Sequence, residues 1–363
     1  MPDSWERAGA SPHKPHAFST VEPKYLIFRT LDRAGEQWYN QEKIHRGLGK
    51  MSEQQTDKSK SSAVSALLVL GAGCLWGFMG LLVRSTSALG LGTMETCFLR
   101  ALVTATAMLL LLLVIDRRAL KVRLRDLWCF AGTGIVSMTF FNYCYFKTIM
   151  LTSLSVAAVL LYTAPVFVVL MSAPLFGEKL SRRKLLAALV AFMGCAFVSG
   201  VVGGAGRLSF TGILFGLGSG IGYALYSIFG RYALERGYGS ATISFYTFVF
   251  ALIPTFLLAD TGSAVSALTG SLGKFAFLSV LILMVTLAPY LLYTKGLQGL
   301  ENGTASILAS IEPVVATLVG LVIYSEKLGI WNILGIVLVL FSILLINRRS
   351  TEKKSGPEPD VKA

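Results

Sequence analysis

Residues 177–180 read Gly177-Glu178-Lys179-Leu180, and 148 positions later residues 325–328 read Ser325-Glu326-Lys327-Leu328. Pro165 precedes the first tetrapeptide by the distance at which Pro313 precedes the second, and Tyr145 and Lys147 correspond to Tyr293 and Lys295 in the same register. The chain is therefore an internal duplication. Its period is far longer than the roughly 20–50 residues of solenoid or propeller units, so each copy must be a bundle of several helices. Two such bundles in a very apolar chain point to a membrane carrier.

Composition identifies the solvent. Hydrophobic residues make up 54% of the 363 residues and charged residues 15%, against about 25% charged in soluble domains; the mean hydropathy is +0.64. Apolar runs long enough to cross roughly 30 Å of hydrocarbon lie near 63–83, 93–115, 127–146, 153–175, 184–202, 209–230, 240–259, 274–294, 303–324 and 330–347. The expected fold is thus an all-α integral membrane protein of ten helices, five in each repeat. Connections between runs leave no room for a soluble domain. The division is a polar N-terminal extension over 1–62, repeat 1 over 63–202, repeat 2 over 203–347 and a tail over 348–363.

An odd number of spans per copy makes the second copy enter from the opposite side, so the repeats are expected to be inverted. Loop charges agree. Arg117, Arg118, Lys121, Arg123 and Arg125 follow the second span, Arg182, Arg183 and Lys184 the fourth, and Arg231 and Arg236 the sixth. By the positive-inside rule these loops, and with them both termini, are cytoplasmic. The alternate loops hold scattered charges such as Arg84, Arg207 and Lys274. This asymmetry accounts for much of the net charge of +13 and argues against a nucleic-acid partner.

The first fifty residues hold all three histidines (His13, His16, His45) and several prolines without a signal-peptide run; they read as disordered, with Met51 as an alternative start. Cys74, Cys97, Cys129, Cys144 and Cys195 fall inside spans with no CxxC pair and read as packing residues. No phosphate loop, H-E-x-x-H or G-x-S-x-G element is present, so neither ATP hydrolysis nor a hydrolase is indicated, and no metal or cofactor is expected. Asn302-Gly303-Thr304 matches a glycosylation sequon but falls on the cytoplasmic side.

Trp76-Gly77, Phe98-Leu99-Arg100-Ala101, Ala164-Pro165 with Gly177-Glu178-Lys179-Leu180, Gly194, Ile311-Glu312-Pro313 with Ser325-Glu326-Lys327-Leu328, and Gly335 resemble the drug/metabolite transporter superfamily, closest to its EamA-like permease branch. The resemblance spans about residues 64–347. It implies a ten-helix inverted-repeat carrier in the bacterial inner membrane with a central cavity and alternating access, commonly exporting amino acids or other small metabolites.

Individual helices support a cavity independently. On the ninth span Asn302, Ala305, Ser306, Ala309, Pro313, Ala316 and Gly320 share one face at helical spacing, opposite Ile307, Ile311, Val314, Leu318 and Val322. The bulky face is expected to meet lipid and the small face a neighbouring helix or, through a kink at Pro313, a substrate path. Glu312 sits near mid-depth, where a carboxylate must be protonated, paired or hydrated. Substrate contact or proton coupling competes there with a structural hydrogen bond. Its counterpart in the first repeat is Ala164.

Arg100 and Glu95 are about 140° apart on one helix and should not pair; Arg100 could hold a substrate carboxylate or bond another helix. Asn142 and Tyr145 correspond to Tyr290 and Tyr293, and Thr286, Tyr290 and Tyr293 share a face. These positions read as cavity lining or as interfacial belt residues, with Lys147 and Lys295 at opposite mouths as gating or flanking charges. Trp76 plus 147 gives Tyr223, and both are candidates to face the cavity. Gly73 and Gly77, and Gly216, Gly218, Gly220 and Gly222, form rows for close helix contact.

The reading is a secondary carrier for a small metabolite, an amino acid or related compound, with protons as a candidate coupling ion and a homodimer left open. A passive facilitator on the same scaffold, or a transporter of drugs or of phosphorylated or nucleotide-linked metabolites, are the alternatives.

Overall fold

The computed structural model describes residues 61–199, 201, 209–325 and 329–347. The expectations for the N-terminal extension up to residue 60, Arg207, Glu326-Lys327-Leu328 and the tail from residue 348 lie outside the described residues. Within them every regular element is a helix, and no strand is present.

Serine hydroxyls start four of the long helices. Ser153, Ser181, Ser209 and Ser271 each accept a hydrogen bond from the backbone N–H three residues on, as N-caps do. In chain order we number α1 (Ser61–Ser87), α2 (Thr93–Ile115), α3 (127–151), α4 (Leu154–Phe176), α5 (Arg182–Val198), α6 (Phe210–Glu235), α7 (Ser240–Leu258), α8 (Leu272–Gly296), α9 (Asn302–Tyr324) and α10 (Ile330–Asn347). A short helix, Thr261–Thr269, links α7 to α8. Seven of these helices, α1, α2, α4, α6, α7, α8 and α9, are long and apolar enough to cross a membrane, and Ile330–Ile346 forms a shorter apolar helix. The chain is a multi-pass membrane protein.

The duplication is visible in the irregularities of the helices as much as in the helices themselves. α4 breaks at Tyr162-Thr163 and α9 at Ser310-Ile311, positions 148 apart. α3 carries a π-helical stretch over Gly132–Thr139 and α8 one over Leu283–Leu287; 135–139 plus 148 gives 283–287. α4 ends on Gly177 at φ 64° and α9 on Ser325 at φ 55°, the left-handed conformation that closes a helix C-terminus. One break has no counterpart: α1 turns at Gly77-Phe78, whereas α6 runs unbroken.

Equivalent helices of the two repeats pack antiparallel. Asn332 at the start of α10 donates to the Val198 carbonyl at the end of α5 (2.9 Å), and Arg183 at the start of α5 donates to the Leu345 carbonyl near the end of α10 (2.6 Å). Between them the backbones nearly touch: a Cβ on Gly335 would lie 2.6 Å from the Gly194 carbonyl oxygen and from the Val198 nitrogen. α2 and α7 pair in the same sense, with Glu95 accepting from the Asp260 N–H at 2.9 Å, Phe98 against Phe256, and Thr242 donating to the Ala119 carbonyl.

The glycine rows bring the first helix of each repeat onto the break of the other. A Cβ on Gly73 would lie 3.0 Å from the Ala309 carbonyl beside the α9 break, and one on Gly220 2.9 Å from the Leu160 carbonyl beside the α4 break. At one end of the bundle Asp126 ties two loops together, accepting from Arg236 (3.1 Å) and from the Tyr238 hydroxyl (2.7 Å). Long apolar side chains such as Leu257, Val322 and Leu344 face outward, as a lipid-facing surface requires.

One expectation for α9 fails. Ile307 and Val314, assigned to a lipid-facing side, are buried; Ile307 packs with Val169, Ala187 and Ala188. The break at Ser310-Ile311 resets the helical phase, so a single 100° wheel cannot describe both halves. The break also precedes Pro313, which sits in the first turn of the second half, where its missing N–H costs nothing.

Candidate functional site

α1, α3, α6 and α8 meet around an aromatic cluster. The Trp76 ring lies edge-on to Tyr290 at 5.4 Å and beside Tyr293 at 5.4 Å, with Tyr223 at 6.3 Å, and Tyr226 meets Tyr290 edge-on at 4.9 Å. Together with Ser137, Met138, Phe141 and Ser227 they line a cavity of about 10 Å³, room for roughly one water. The rings are joined by hydrogen bonds that cross from α6 to α8: Ser227 Oγ with the Tyr293 hydroxyl at 2.7 Å, and the Tyr226 hydroxyl with Thr294 Oγ1 at 2.8 Å.

Glu312 opens the second half of α9, immediately after the break. Tyr223 donates to its Oε2 at 3.3 Å, and Tyr162, at the α4 break, is a second phenol within hydrogen-bonding reach. The two breaks thus place a carboxylate from one repeat beside a tyrosine from the other. Tyr145, Cys195 and Arg100 lie in the surroundings of Glu312. Arg100 is buried and donates through Nε to Thr286 Oγ1 at 3.1 Å. Thr286 belongs to the π-helical stretch of α8, the kind of irregularity that re-aims side chains inside a helix.

Trp76, Tyr223, Tyr290 and Tyr293 therefore come together as one cavity wall, with Glu312 and Arg100 around its margin. The other expected residues are arranged differently. Asn142 is buried but turns back on its own helix, donating to the Met138 carbonyl at 2.6 Å. Lys147 is half-buried with its ammonium 5.8 Å from the Tyr143 ring, and Lys295 is exposed. Glu95 bonds Asp260 rather than Arg100. Sequence reasoning overlooked Tyr162, Tyr226 and Ser227. Tyr226 and Ser227 carry a signal in hindsight, because they follow Tyr223 at i+3 and i+4 on α6; Tyr162 carries none, since only the break aims it at Glu312.

A second polar cluster gathers at the start of α9. Glu178 leaves α4 and caps the start of α9, accepting from the Asn302 N–H at 2.6 Å and the Gly303 N–H at 3.3 Å. Lys184 of α5 bonds Glu178 at 3.4 Å and also pairs with Glu301. Arg231 at the end of α6 donates to Asn302 Oδ1 at 2.9 Å and to the Leu300 carbonyl. The sequon asparagine is fully buried here. No group of acidic, histidine and cysteine side chains suited to a metal ion occurs among the described residues.

Residues 63–200 and 210–348 each match the model of the EamA-like transporter family. The chain belongs to that family. It places the protein among the membrane transporters of the drug/metabolite transporter superfamily. Among its relatives, an uncharacterized transporter of Archaeoglobus fulgidus is 29% identical over 218 residues, 58% of this chain and 75% of that protein. The uncharacterized transporter YwfM of Bacillus subtilis is 25% identical over 298 residues, 81% of this chain and 97% of its own length. A solved crystal structure superposes with a TM-score of 0.64 at 18% identity, covering 81% of this chain and 99% of that chain; the likeness is one of fold.

Proposed function

We propose that this EamA-family transporter is a secondary carrier that moves a small metabolite, an amino acid or related compound, outward across the bacterial inner membrane by alternating access. The observation that carries the reading is Glu312, placed at a helix break, bonded to Tyr223 at 3.3 Å and adjoining an aromatic cavity. Helix breaks expose backbone groups only where they line a cavity or are buried in protein, and an ionisable group at such a point is a functional candidate. Trp76, Tyr223, Tyr290 and Tyr293 form the apolar wall, Arg100 is the group for an anionic part of the substrate, and Glu312 carries the coupling proton.

Ten spans in two inverted five-helix repeats, 63–202 and 203–347, with both termini in the cytoplasm, complete the proposal. The antiparallel pairing of α5 with α10 and of α2 with α7 supports inversion, because helices related by the duplication must run oppositely if one copy is turned over. Asn142, Tyr145, Lys147 and Lys295 are assigned to the path toward the two mouths.

A metabolite screen comparing cells that overproduce the protein with cells that lack it should give the substrate. Uptake of that compound into proteoliposomes should then rise above equilibrium under an imposed proton gradient, and Glu312→Gln should remove the gradient dependence. Uptake that never exceeds equilibrium would identify a passive facilitator instead.

A further inference from the structure

Basic side chains around the α2–α3, α4–α5 and α6–α7 connections fall into two groups. Lys184 pairs with Glu178 and Glu301, Arg183 donates to the Leu345 carbonyl, Arg231 holds Asn302, and Arg236 bonds Asp126. These four find partners within the protein. The α2–α3 connection differs: Arg117, Arg118, Lys121, Arg123 and Arg125 are all exposed, and among the described residues none of the five enters an ion pair. Arg117 donates to the Leu113 carbonyl of its own helix. The two carboxylates of the stretch are occupied elsewhere, Asp116 accepting from the Arg118 N–H at 3.0 Å and Asp126 buried against Arg236 and Tyr238.

These cations are not on a loose loop. Two 3₁₀ turns, Arg117–Leu120 and Leu124–Asp126, shape the connection, and α7 with the turn before it grips the inner side. Thr242 donates to the Ala119 carbonyl at 2.9 Å, Tyr246 to the Leu120 carbonyl at 2.8 Å, and the Arg123 N–H to the Tyr238 hydroxyl at 3.1 Å. Ala119 and Leu120 pack against Met108, Leu112 and Phe245. Residues three apart in a 3₁₀ turn lie one above the other, so Arg118 and Lys121 share the outer side. The positive-inside rule asks for charges in such a loop; it does not ask that they be held in place and left without counter-ions.

Apolar side chains frame the cations. Val114 and Ile115 at the end of α2 are 86% and 71% exposed, Trp128 at the start of α3 is 42% exposed, and Leu124, between two arginines, is 84% exposed. Exposed aliphatic residues ending at a tryptophan mark the level where hydrocarbon gives way to headgroups. We propose that the α2–α3 connection is a binding site for an anionic phospholipid, its phosphate met by Arg118 and Lys121 and its acyl region by Leu124 and Trp128. Arginine and lysine are the side chains that recognise phosphate, and a polybasic stretch beside a span is drawn to anionic lipid. The site needs insertion in a membrane but no transport, so it fails or holds apart from the carrier reading.

Native mass spectrometry of the detergent-solubilised full chain, titrated with dioleoyl phosphatidylglycerol and with dioleoyl phosphatidylcholine, reads the affinity for each lipid. The parent should bind phosphatidylglycerol more tightly. Arg118→Gln combined with Lys121→Gln should weaken phosphatidylglycerol by at least about fivefold, the worth of one Lys or Arg near an anionic surface at roughly 1 kcal/mol, and leave phosphatidylcholine unchanged. Leu124→Ser should weaken both lipids. Lys179→Gln combined with Arg182→Gln, which removes two exposed cations around the α4–α5 connection, should change neither.

An equal loss from the α4–α5 pair would mean a general attraction to positive surface, and a parent that binds the two lipids alike would leave no headgroup site; either overturns the proposal. Phosphatidylglycerol binding untouched by Leu124→Ser would make the site one for a free phosphate and overturn the lipid assignment. Should the double variant fail to reach the membrane, Lys121→Gln alone decides, with the same sign expected.

Discussion

The breaks in α4 and α9 are the same backbone device with different chemistry. Each interrupts its helix 148 residues from the other, each is followed by a proline at the second helical position, and each receives a glycine of the other repeat's first helix. After the first break comes Ala164, buried against Val168 and Ala224; after the second comes Glu312, bonded to Tyr223. Duplication supplied two equivalent openings in the helical ladder, and one residue made only the second of them ionisable. Symmetry therefore accounts for the scaffold, and the departure from symmetry is where we propose the coupling group to lie.

The largest way to break the comparison is to make the two sites alike. Ala164→Glu would bury a second carboxylate in an apolar pocket, and a charge at mid-depth costs about 3 kcal/mol; we expect a fall of that size in stability, read as a drop in the unfolding midpoint of the detergent-solubilised protein. The reverse change, Glu312→Gln, keeps the shape and the Tyr223 partner. It should leave stability nearly unchanged while gradient-driven uptake falls by at least about tenfold, an equilibrium factor worth roughly 1.4 kcal/mol.

Glycines at the α5–α10 seam test whether repeat pairing holds the halves together. Gly335→Ala places a methyl against two backbone atoms at 2.6 Å, and overpacking of that kind costs about 1–3 kcal/mol. The same change at Gly80, where a Cβ has open space, should be almost silent in the same unfolding assay.

The smallest effect compares the helix ends. Gly177 and Ser325 share the left-handed conformation, which strains any residue with a Cβ by about 1–2 kcal/mol. Ser325→Gly should stabilise by about 0.5 kcal/mol once the greater freedom of glycine in the unfolded chain is counted, and Gly177→Ser should destabilise by a similar amount. Opposite signs in one thermal assay would confirm that the two ends are equivalent; equal signs would not.

Much of this was legible in the residues. The span expected over 93–115 coincides with α2, because bilayer thickness imposes a length that hydropathy alone reveals; the stretch expected over 330–347 is helical as α10, with a shorter apolar run over Ile330–Ile346. Helix phase was less readable. Ile307 and Val314 were misplaced because the break in α9 rotates one half against the other, a rotation invisible to a periodic wheel. Repeat register singled out Trp76, Tyr223, Tyr290 and Tyr293, but it singled out Asn142 and Tyr145 equally, and these do not line the aromatic cavity. The role of Glu178 did not follow, because its partners lie 124 and 125 residues away.

The sequence by itself determined the solvent, the duplication, the helix count expected of it and the asymmetry of Glu312 against Ala164, since each depends on composition or spacing along one chain. Only the tertiary structure decided that α4 and α9 break before their prolines, that Tyr162 and Tyr223 turn toward Glu312, and that Glu178 caps α9. Those outcomes depend on which helices approach closely enough for a backbone N–H or a phenol to find its partner, and close approach is a property of packing in three dimensions.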